Sequence, residues 1–293
     1  GGLIAGISAW HLARPGVSEE DAATYRWATK FGAWVLIAGS ALTFYTGDAQ
    51  AKAITQLQPS KIAAAEGAFE DTGDFSLLTL PNADQTGTVV DIKIPNILSL
   101  IAGVPQIKGI DTIREQYARH GYSLQDGSQT KLQSQYAEQL AGRYGGINPI
   151  PDVNVTYWSF RMMMVFGGLG LLIGIYLLWV IRKGRAPKPS KLWTTLMAAM
   201  PLLPLFGISF GWIFTEMGRQ PWLVAGVMPT EAGISPTTSA GDVLFSLIVY
   251  TLLYGLLAVI EVGLFLRYTA KGLPEVTEPK VSEDPDAPMS FAY

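Results

Sequence analysis

Glu216 is the first residue in this sequence whose type and setting could do chemistry. It lies in Gly211-Trp212-Ile213-Phe214-Thr215-Glu216-Met217-Gly218-Arg219-Gln220-Pro221-Trp222, at the end of an apolar run. A carboxylate beside hydrocarbon is costly, so it needs a partner or a function. The plain reading is an interfacial glutamate paired with Arg219, but the density of Trp, Arg, Gln and Pro around it is unusual for an interfacial belt. A second cluster is Arg161 with Met162-Met163-Met164, at the start of another apolar run. Methionines fill packing gaps in helices and an arginine at a helix end snorkels, while a buried arginine would suit a carboxylate or a propionate. Lys61 and Glu66 form a third candidate set. Five positions apart, they lie roughly 140° around a helix and are poorly placed to pair, which leaves separate solvation or a ligand between them.

Other ionisable residues are less distinctive. His11 follows a short apolar stretch and reads as an interfacial histidine. His120 stands before Gly121 at a helix end, where a dipole contact suffices. Glu261 lies within an apolar run, open to a proton relay or to a polar contact between helices. Cysteine is absent and only two histidines occur. Disulfides, thiolate metal sites, iron–sulfur ligation and cysteine nucleophiles are therefore excluded.

The elements that must position these residues are membrane helices. Charged residues make up 15% of the 293, against roughly 25% in an average soluble domain. The hydrophobic share is 49% before 31 glycines are added, and the net charge of -3 leaves no electrostatic footprint for nucleic acid. The expected fold is an all-α integral membrane bundle with four full transmembrane helices, at 27–46, 156–182, 192–216 and 243–267. Residues 1–13 read as the end of a truncated transmembrane helix, since about 20 apolar residues are needed to cross a bilayer core; the chain is expected to be the C-terminal part of a longer protein. Pro201 and Pro204 are expected to kink the third span.

Lys/Arg counts orient the bundle. The 182–191 connection holds Arg182, Lys183, Arg185, Lys188 and Lys191, whereas the 217–242 loop holds only Arg219. The basic loop, the loop with Arg14 and Arg26, and the C-terminus then lie inside. The 47–155 insert and the 217–242 loop share the outer face. Within the insert, a Ser60 N-cap is expected to start a helix through Glu66. Further helices are expected at Asp111–His120 and Gln129–Tyr144, the last stopped by Gly145-Gly146, and the apolar stretch Asp91–Pro105 is expected to lie on the membrane surface. Residues 268–293, rich in Pro, Glu, Asp and Ser, read as a disordered cytoplasmic tail.

Three spaced strings resemble subunit I of the cytochrome bd-type quinol oxidases. Gly218-Arg219-Gln220-Pro221-Trp222, with Gly211-Trp212 and Glu216 before it, is similar to that family's most distinctive string. Gly47-Asp48 followed by Gln58-Pro59-Ser60-Lys61-Ile62-Ala63-Ala64-Ala65-Glu66 is similar to the start of its quinol-binding loop, and Phe160-Arg161-Met162-Met163 to its Phe-Arg-x-Met. Met228-Pro229-Thr230 and Ser239-Ala240-Gly241-Asp242 also fit. The likeness covers the chain except the tail, and the insert's length suggests the short-loop class.

The resemblance implies a terminal respiratory oxidase of the bacterial cytoplasmic membrane that oxidises quinol at the outer face and reduces dioxygen to water, generating a proton-motive force. It implies Glu216 as axial ligand of a high-spin haem b and Met163 as one axial ligand of a low-spin haem b, with a haem d or a further haem b at the oxygen site. Lys61 and Glu66 would bind or deprotonate quinol, with Asp48 a further candidate. Arg161 and Arg219 would hold propionates or neighbouring charges, and Trp212 and Trp222 would pack around the haems. The family's histidine ligands would lie upstream; His11 matches neither. The implied partners are oxidase subunit II, a small single-span accessory subunit, quinol, dioxygen and the bilayer. The alternatives are the cyanide-insensitive branch with only b-type haems, and a non-enzymatic transporter or scaffold whose insert binds a partner.

Overall fold

The computed structural model describes residues 1–143 and 146–274. They form two units, Gly1–Val17 with Ala22–Thr237, and Ser18–Asp21 with the stretch from Thr238 onward. In chain order, the helices of the first half are α1 (Gly2–Leu12), α2 (Glu19–Leu57) and α3 (Pro59–Glu66). A hairpin follows, β1 (Phe75–Pro81) and β2 (Thr88–Ile94), then α4 (Ile97–Ala102), α5 (Ile110–His120) and α6 (Lys131–Arg143). The long α7 (Val153–Val180) leads to α8 (Lys191–Ala199) and α9 (Leu202–Gly218), then the short pair β3 (Trp222–Val224) and β4 (Met228–Pro229), and finally α10 (Ala240–Lys271).

Among the described residues two helices, α7 and α10, are long and apolar enough to cross a membrane, and α8 with α9 makes a third if that bent pair is one span. The bend is 42° and falls between Ala199 and Leu202. Pro201 causes it, because proline has no N–H to continue the helix. Pro204 sits in the first turn of α9, where a missing N–H costs nothing. The expected span 27–46 is the middle of α2, a helix of 39 residues. At about 1.5 Å per residue it is roughly 58 Å long, well beyond a bilayer core of about 30 Å, so the expected insert begins as a continuation of that helix.

Small residues set the helix packing. A Cβ added at Gly6 would lie 2.7 Å from the Met197 carbonyl oxygen, and one at Gly32 would lie 2.6 Å from the Ala5 nitrogen. Ala5, Ala9 and Ala33 are fully buried with Leu177, Trp193, Met197 and Met200, and the Trp193 indole N–H donates to the Ala9 carbonyl at 3.1 Å. α10, described by itself, opens with a capping box. Ser239 and Asp242 exchange side-chain-to-backbone bonds there, which gives the Ser239-Ala240-Gly241-Asp242 string a local structural reason.

The all-α expectation fails in the insert and in the loop after α9, which hold two antiparallel strand pairs. The β1–β2 register sets Thr79 opposite Asp91 and Ser76 opposite Lys93. The Asp91–Pro105 stretch thus begins as strand, through Ile94. It continues into α4, whose Leu98 and Ala102 pack inward against Ile62, Ala68 and Ile107. The α3 helix starts two residues earlier than a Ser60 cap implies: Gln58 is the N-cap, with no side-chain cap bond, and Pro59 stands in the first turn. Its end is set by Gly67 in the left-handed conformation, φ 60°, where a side chain would be strained. The α5 helix ends at His120 before Gly121, as expected. Tyr144 at the expected end of α6, Gly145 of its expected Gly145-Gly146 stop, and the tail beyond Pro274 lie outside the described residues.

Candidate functional site

The α3 helix is the element on which the site is built. All eight of its residues are buried, with Ala63, Ala64 and Ala65 at 0% exposure. Three successive alanines let its backbone wedge among α5, α7, α9 and β1. The two charged side chains at its ends are carried into the interior, where each must find a partner.

Lys61 and Glu66 do point to different places. The Lys61 ammonium donates to the Thr215 carbonyl at 3.3 Å and sits 4.8 Å from the centre of the Phe214 ring. It therefore rests on the C-terminal turn of α9, where carbonyls and the helix dipole attract a cation. Burial pushes its pKa below the usual lysine range; the Glu216 carboxylate pulls it back up and Arg219 presses it down. Gly218 makes room for it: a Cβ there would lie 3.1 Å from Lys61 Cγ and Cε.

Glu66 binds Arg161 on α7. One Arg161 nitrogen donates to Glu66 Oε2 at 2.7 Å and to the Ser76 carbonyl at 2.7 Å; the other reaches Glu66 Oε1 at 3.5 Å. The guanidinium lies 4.7 Å from the Tyr157 ring, 4.8 Å from Phe75 and 5.3 Å from Phe160. Glu66 Oε2 also accepts the Ser76 peptide N–H at 3.3 Å. Burial raises the Glu66 carboxyl above its ordinary range, and Arg161 and the Ser76 N–H oppose that rise.

The candidate iron ligands are single, separate side chains. A Cβ at Gly211 would lie 3.0 Å from Met163 Sδ, so the thioether lies against α9 at that glycine. Glu216 is five residues further along α9, roughly 140° around and about 7.5 Å along its axis; the two candidates address different positions. Glu216 pairs with Arg219 at 2.6 Å, both side chains about one-third exposed. Trp212, one turn before Glu216, is 67% exposed. Trp222 is instead enclosed, 2% exposed, against Tyr117, Tyr122 and Leu140 of the insert. Asp48 sits on α2 in an exposed i,i+4 ion pair with Lys52 at 2.7 Å. His11 is buried and stacked on Tyr25 at 4.9 Å.

Among the described residues no group of three or more His, Cys, Asp or Glu side chains could hold a bare metal ion. Lone thioether and carboxylate ligands suit a porphyrin, which brings four donors of its own. Two buried donors, Arg161 Nε on α7 and Arg219 Nε at the C-cap of α9, and a third in the following loop, Trp222 Nε1, have no protein partner among the described residues. The donor set fits a propionate-bearing cofactor, since buried polar groups require partners.

The sequence reading missed Ser76, Thr79, Asp91 and Tyr157. Tyr157 OH accepts the Thr79 N–H at 2.7 Å, and Thr79 Oγ1 donates to Asp91 at 2.9 Å. The signal was present in Val90-Asp91-Ile92-Lys93-Ile94, which alternates with the period of a strand.

Apolar helices of membrane-spanning length, with a buried lysine and glutamate carried in among their ends by the insert, define a helical membrane protein. The model of the family "Cytochrome bd terminal oxidase subunit I" matches residues 1–273, and the chain belongs to that family. It is 31% identical over 279 residues to cytochrome bd ubiquinol oxidase subunit 1 of Bacillus subtilis (strain 168), covering 92% of this chain and 53% of that one. It is 29% identical over 310 residues to cytochrome bd-II ubiquinol oxidase subunit 1 of Escherichia coli (strain K12), covering 92% and 59%. The chain thus spans about half the length of the curated relatives it matches. The fold is similar to that of bd oxidase from Geobacillus thermodenitrificans, with TM-score 0.66 and 24% identity over 93% of this chain and 55% of that one.

Proposed function

We propose that this chain forms the quinol-oxidising half of a quinol:oxygen oxidoreductase subunit in a bacterial cytoplasmic membrane. The observation that carries the reading is the placement of Glu66. It is held by Arg161, two residues before Met163 on the same helix. The anchor of a proton acceptor and an iron ligand thereby share one turn of α7, on opposite faces of the helix, which suits a substrate that gives up protons to one group and electrons to another.

Lys61 and Glu66 bind the quinol hydroxyls and Glu66 takes a proton; Asp48, ion-paired on the surface, is outside this pair. Met163 holds a low-spin haem b and Glu216 a high-spin haem b, with a haem d or a further haem b completing the oxygen site from elsewhere in the full protein. When bound, the haems accept electrons singly and pass them to dioxygen. Arg219 satisfies a propionate or the Glu216 charge, and Trp212 offers an exposed face one turn before that ligand. Trp222 acts by fastening the insert to the loop after α9.

The insert, the α9 C-terminus and the α7 N-terminus meet at one end of the first unit. The basic 182–191 loop follows the other end of α7. That arrangement supports an outer quinol site and an inner basic loop, so oxidation releases protons outside while oxygen reduction consumes them inside. Oxidase subunit II and a small single-span subunit are the expected partners. The test is quinol oxidation by the full-length complex carrying Lys61→Ala or Glu66→Ala. Lowered rates with intact haem content support the reading, and unchanged kinetics in both variants contradict it.

A further inference from the structure

Glu66 is 4% exposed and its carboxyl is closed in by Arg161 and Ser76. A base so enclosed can work only once unless its proton has somewhere to go. The hairpin offers a route. Ser76 and Thr79 are 1% and 0% exposed, yet they hold hydroxyls in a continuous chain. Ser76 Oγ lies 3.0 Å from Tyr157 OH and 2.6 Å from Thr79 Oγ1, and Thr79 Oγ1 donates to Asp91 Oδ1 at 2.9 Å.

Donor counting orients the chain. Each hydroxyl has one proton to give. Thr79 gives its proton to the Asp91 carboxylate, so in the Ser76–Thr79 bond it accepts and Ser76 donates. With its proton committed, Ser76 accepts from Tyr157. All three bonds therefore point the same way, from Tyr157 through Ser76 and Thr79 to Asp91. The far end is wet: Asp91 Oδ2 meets Lys93 at 2.8 Å and the Asp91 side chain is 26% exposed.

We propose that Ser76, Thr79 and Asp91 form an exit relay that carries the proton of Glu66 to the outer solvent. This rests on the reading of Glu66 as the base that deprotonates quinol. Glu66 Oε2 already holds the Ser76 peptide N–H, and the relay requires a turn about the Ser76 Cα–Cβ bond that exchanges the Tyr157 contact for the same carboxyl oxygen while Oγ still donates to Thr79. Ser239 displays that arrangement elsewhere in the chain, binding Asp242 Oδ2 through both its N–H at 3.1 Å and its Oγ at 2.7 Å. The proton leaves the Glu66 carboxyl for Ser76 Oγ. Ser76's own proton passes to Thr79, that of Thr79 passes to Asp91, and Asp91 releases it to water. One O–H bond forms for each that breaks, and no electron enters the chain. Rotation of the hydroxyls resets it. Tyr157 holds the two rotors in register without giving up its proton.

The test uses the full-length complex with Glu66→Gln, Thr79→Val, Thr79→Ser and Asp91→Asn beside wild type. Haem spectra, kcat and KM for quinol, and the solvent deuterium isotope effect are measured for each. Thr79→Val keeps the shape and removes the hydroxyl; Asp91→Asn keeps an acceptor oxygen and cannot take a proton. The relay predicts normal spectra and unchanged KM in both, with kcat lowered about tenfold or more and a larger isotope effect, and near-normal turnover in Thr79→Ser. Asp91 is partly exposed, so its variant reads the relay even if Thr79→Val fails to fold. A kcat for Asp91→Asn within about twofold of wild type, with Glu66→Gln inactive, overturns the relay and leaves Glu66 as the base. A wild-type kcat in Glu66→Gln overturns the underlying reading instead.

Discussion

The Glu66 carboxylate and the Arg161 guanidinium meet at 2.7 Å across 95 residues of sequence, each side chain less than one-tenth exposed. The pair joins the insert to α7 just before Met163, so the proposed quinol base is fastened to the helix that carries the proposed haem ligand. Removing one partner of such a pair leaves a buried charge uncompensated, at a cost of about 3–5 kcal/mol.

The pH dependence of turnover should report this pair. Burial raises the Glu66 carboxyl and Arg161 lowers it. Arg161→Met removes the opposing charge, so the carboxyl rises further and a smaller fraction is ionised at any given pH. The acidic limb of the kcat/KM profile for quinol should move to higher pH. A limb at the wild-type position would show that Glu66 is not the titrating base.

Gly218→Ala should impair the Lys61 site. The new Cβ would lie 3.1 Å from two carbons of the lysine stem, so the stem must shift by a few tenths of an ångström and the ammonium is drawn from its place on the α9 carbonyl. Quinol kinetics should weaken several-fold, whereas Gly39→Ala, with nothing within 4 Å, should leave them unchanged. Steady-state assays of the two variants make the comparison.

Gly211→Ala should disturb the Met163 ligand and spare Glu216. Its Cβ would lie 3.0 Å from the thioether sulfur, too close without movement of the methionine. Difference spectroscopy should show an altered or lost low-spin haem b signal with the high-spin signal retained. Loss of both signals together would contradict the separation of the two ligands.

Trp222→Ala should loosen the insert. The indole is packed against Tyr117 and Tyr122, with ring centroids at 6.1 and 5.6 Å, and burial pushes the Tyr122 hydroxyl up to about 12. Deleting a buried tryptophan costs about 3–5 kcal/mol. Limited proteolysis should cut the insert faster in the variant while helical content in the spans is kept.

Features set by local rules were legible in the sequence. Pro201 ends one helix and begins another, Gly121 stops α5, and five-residue spacing separates Lys61 from Glu66. The partners of those two residues were not legible, because Thr215 and Arg161 lie 154 and 95 positions away and only packing brings them close. The hairpin was missed for a different reason. Strands alternating buried and exposed positions normally put apolar side chains inward, but β1 turns Ser76 and Thr79 inward, so its polar positions read as loop. Trp222 showed the opposite limit: the family resemblance implied packing around a haem, and its contacts among the described residues are with insert aromatics.

The central claim is that isolated thioether and carboxylate side chains hold two distinct haems at the end of the bundle where the insert binds quinol. The most direct measurement is a reduced-minus-oxidised spectrum with pyridine haemochrome analysis of the full-length complex, wild type beside Glu216→Ala and Met163→Ala. The account predicts haem b in the wild type, loss of the high-spin signal alone in Glu216→Ala, and loss of the low-spin signal in Met163→Ala. A well-folded wild-type complex without haem, or variants with unchanged spectra, would contradict it.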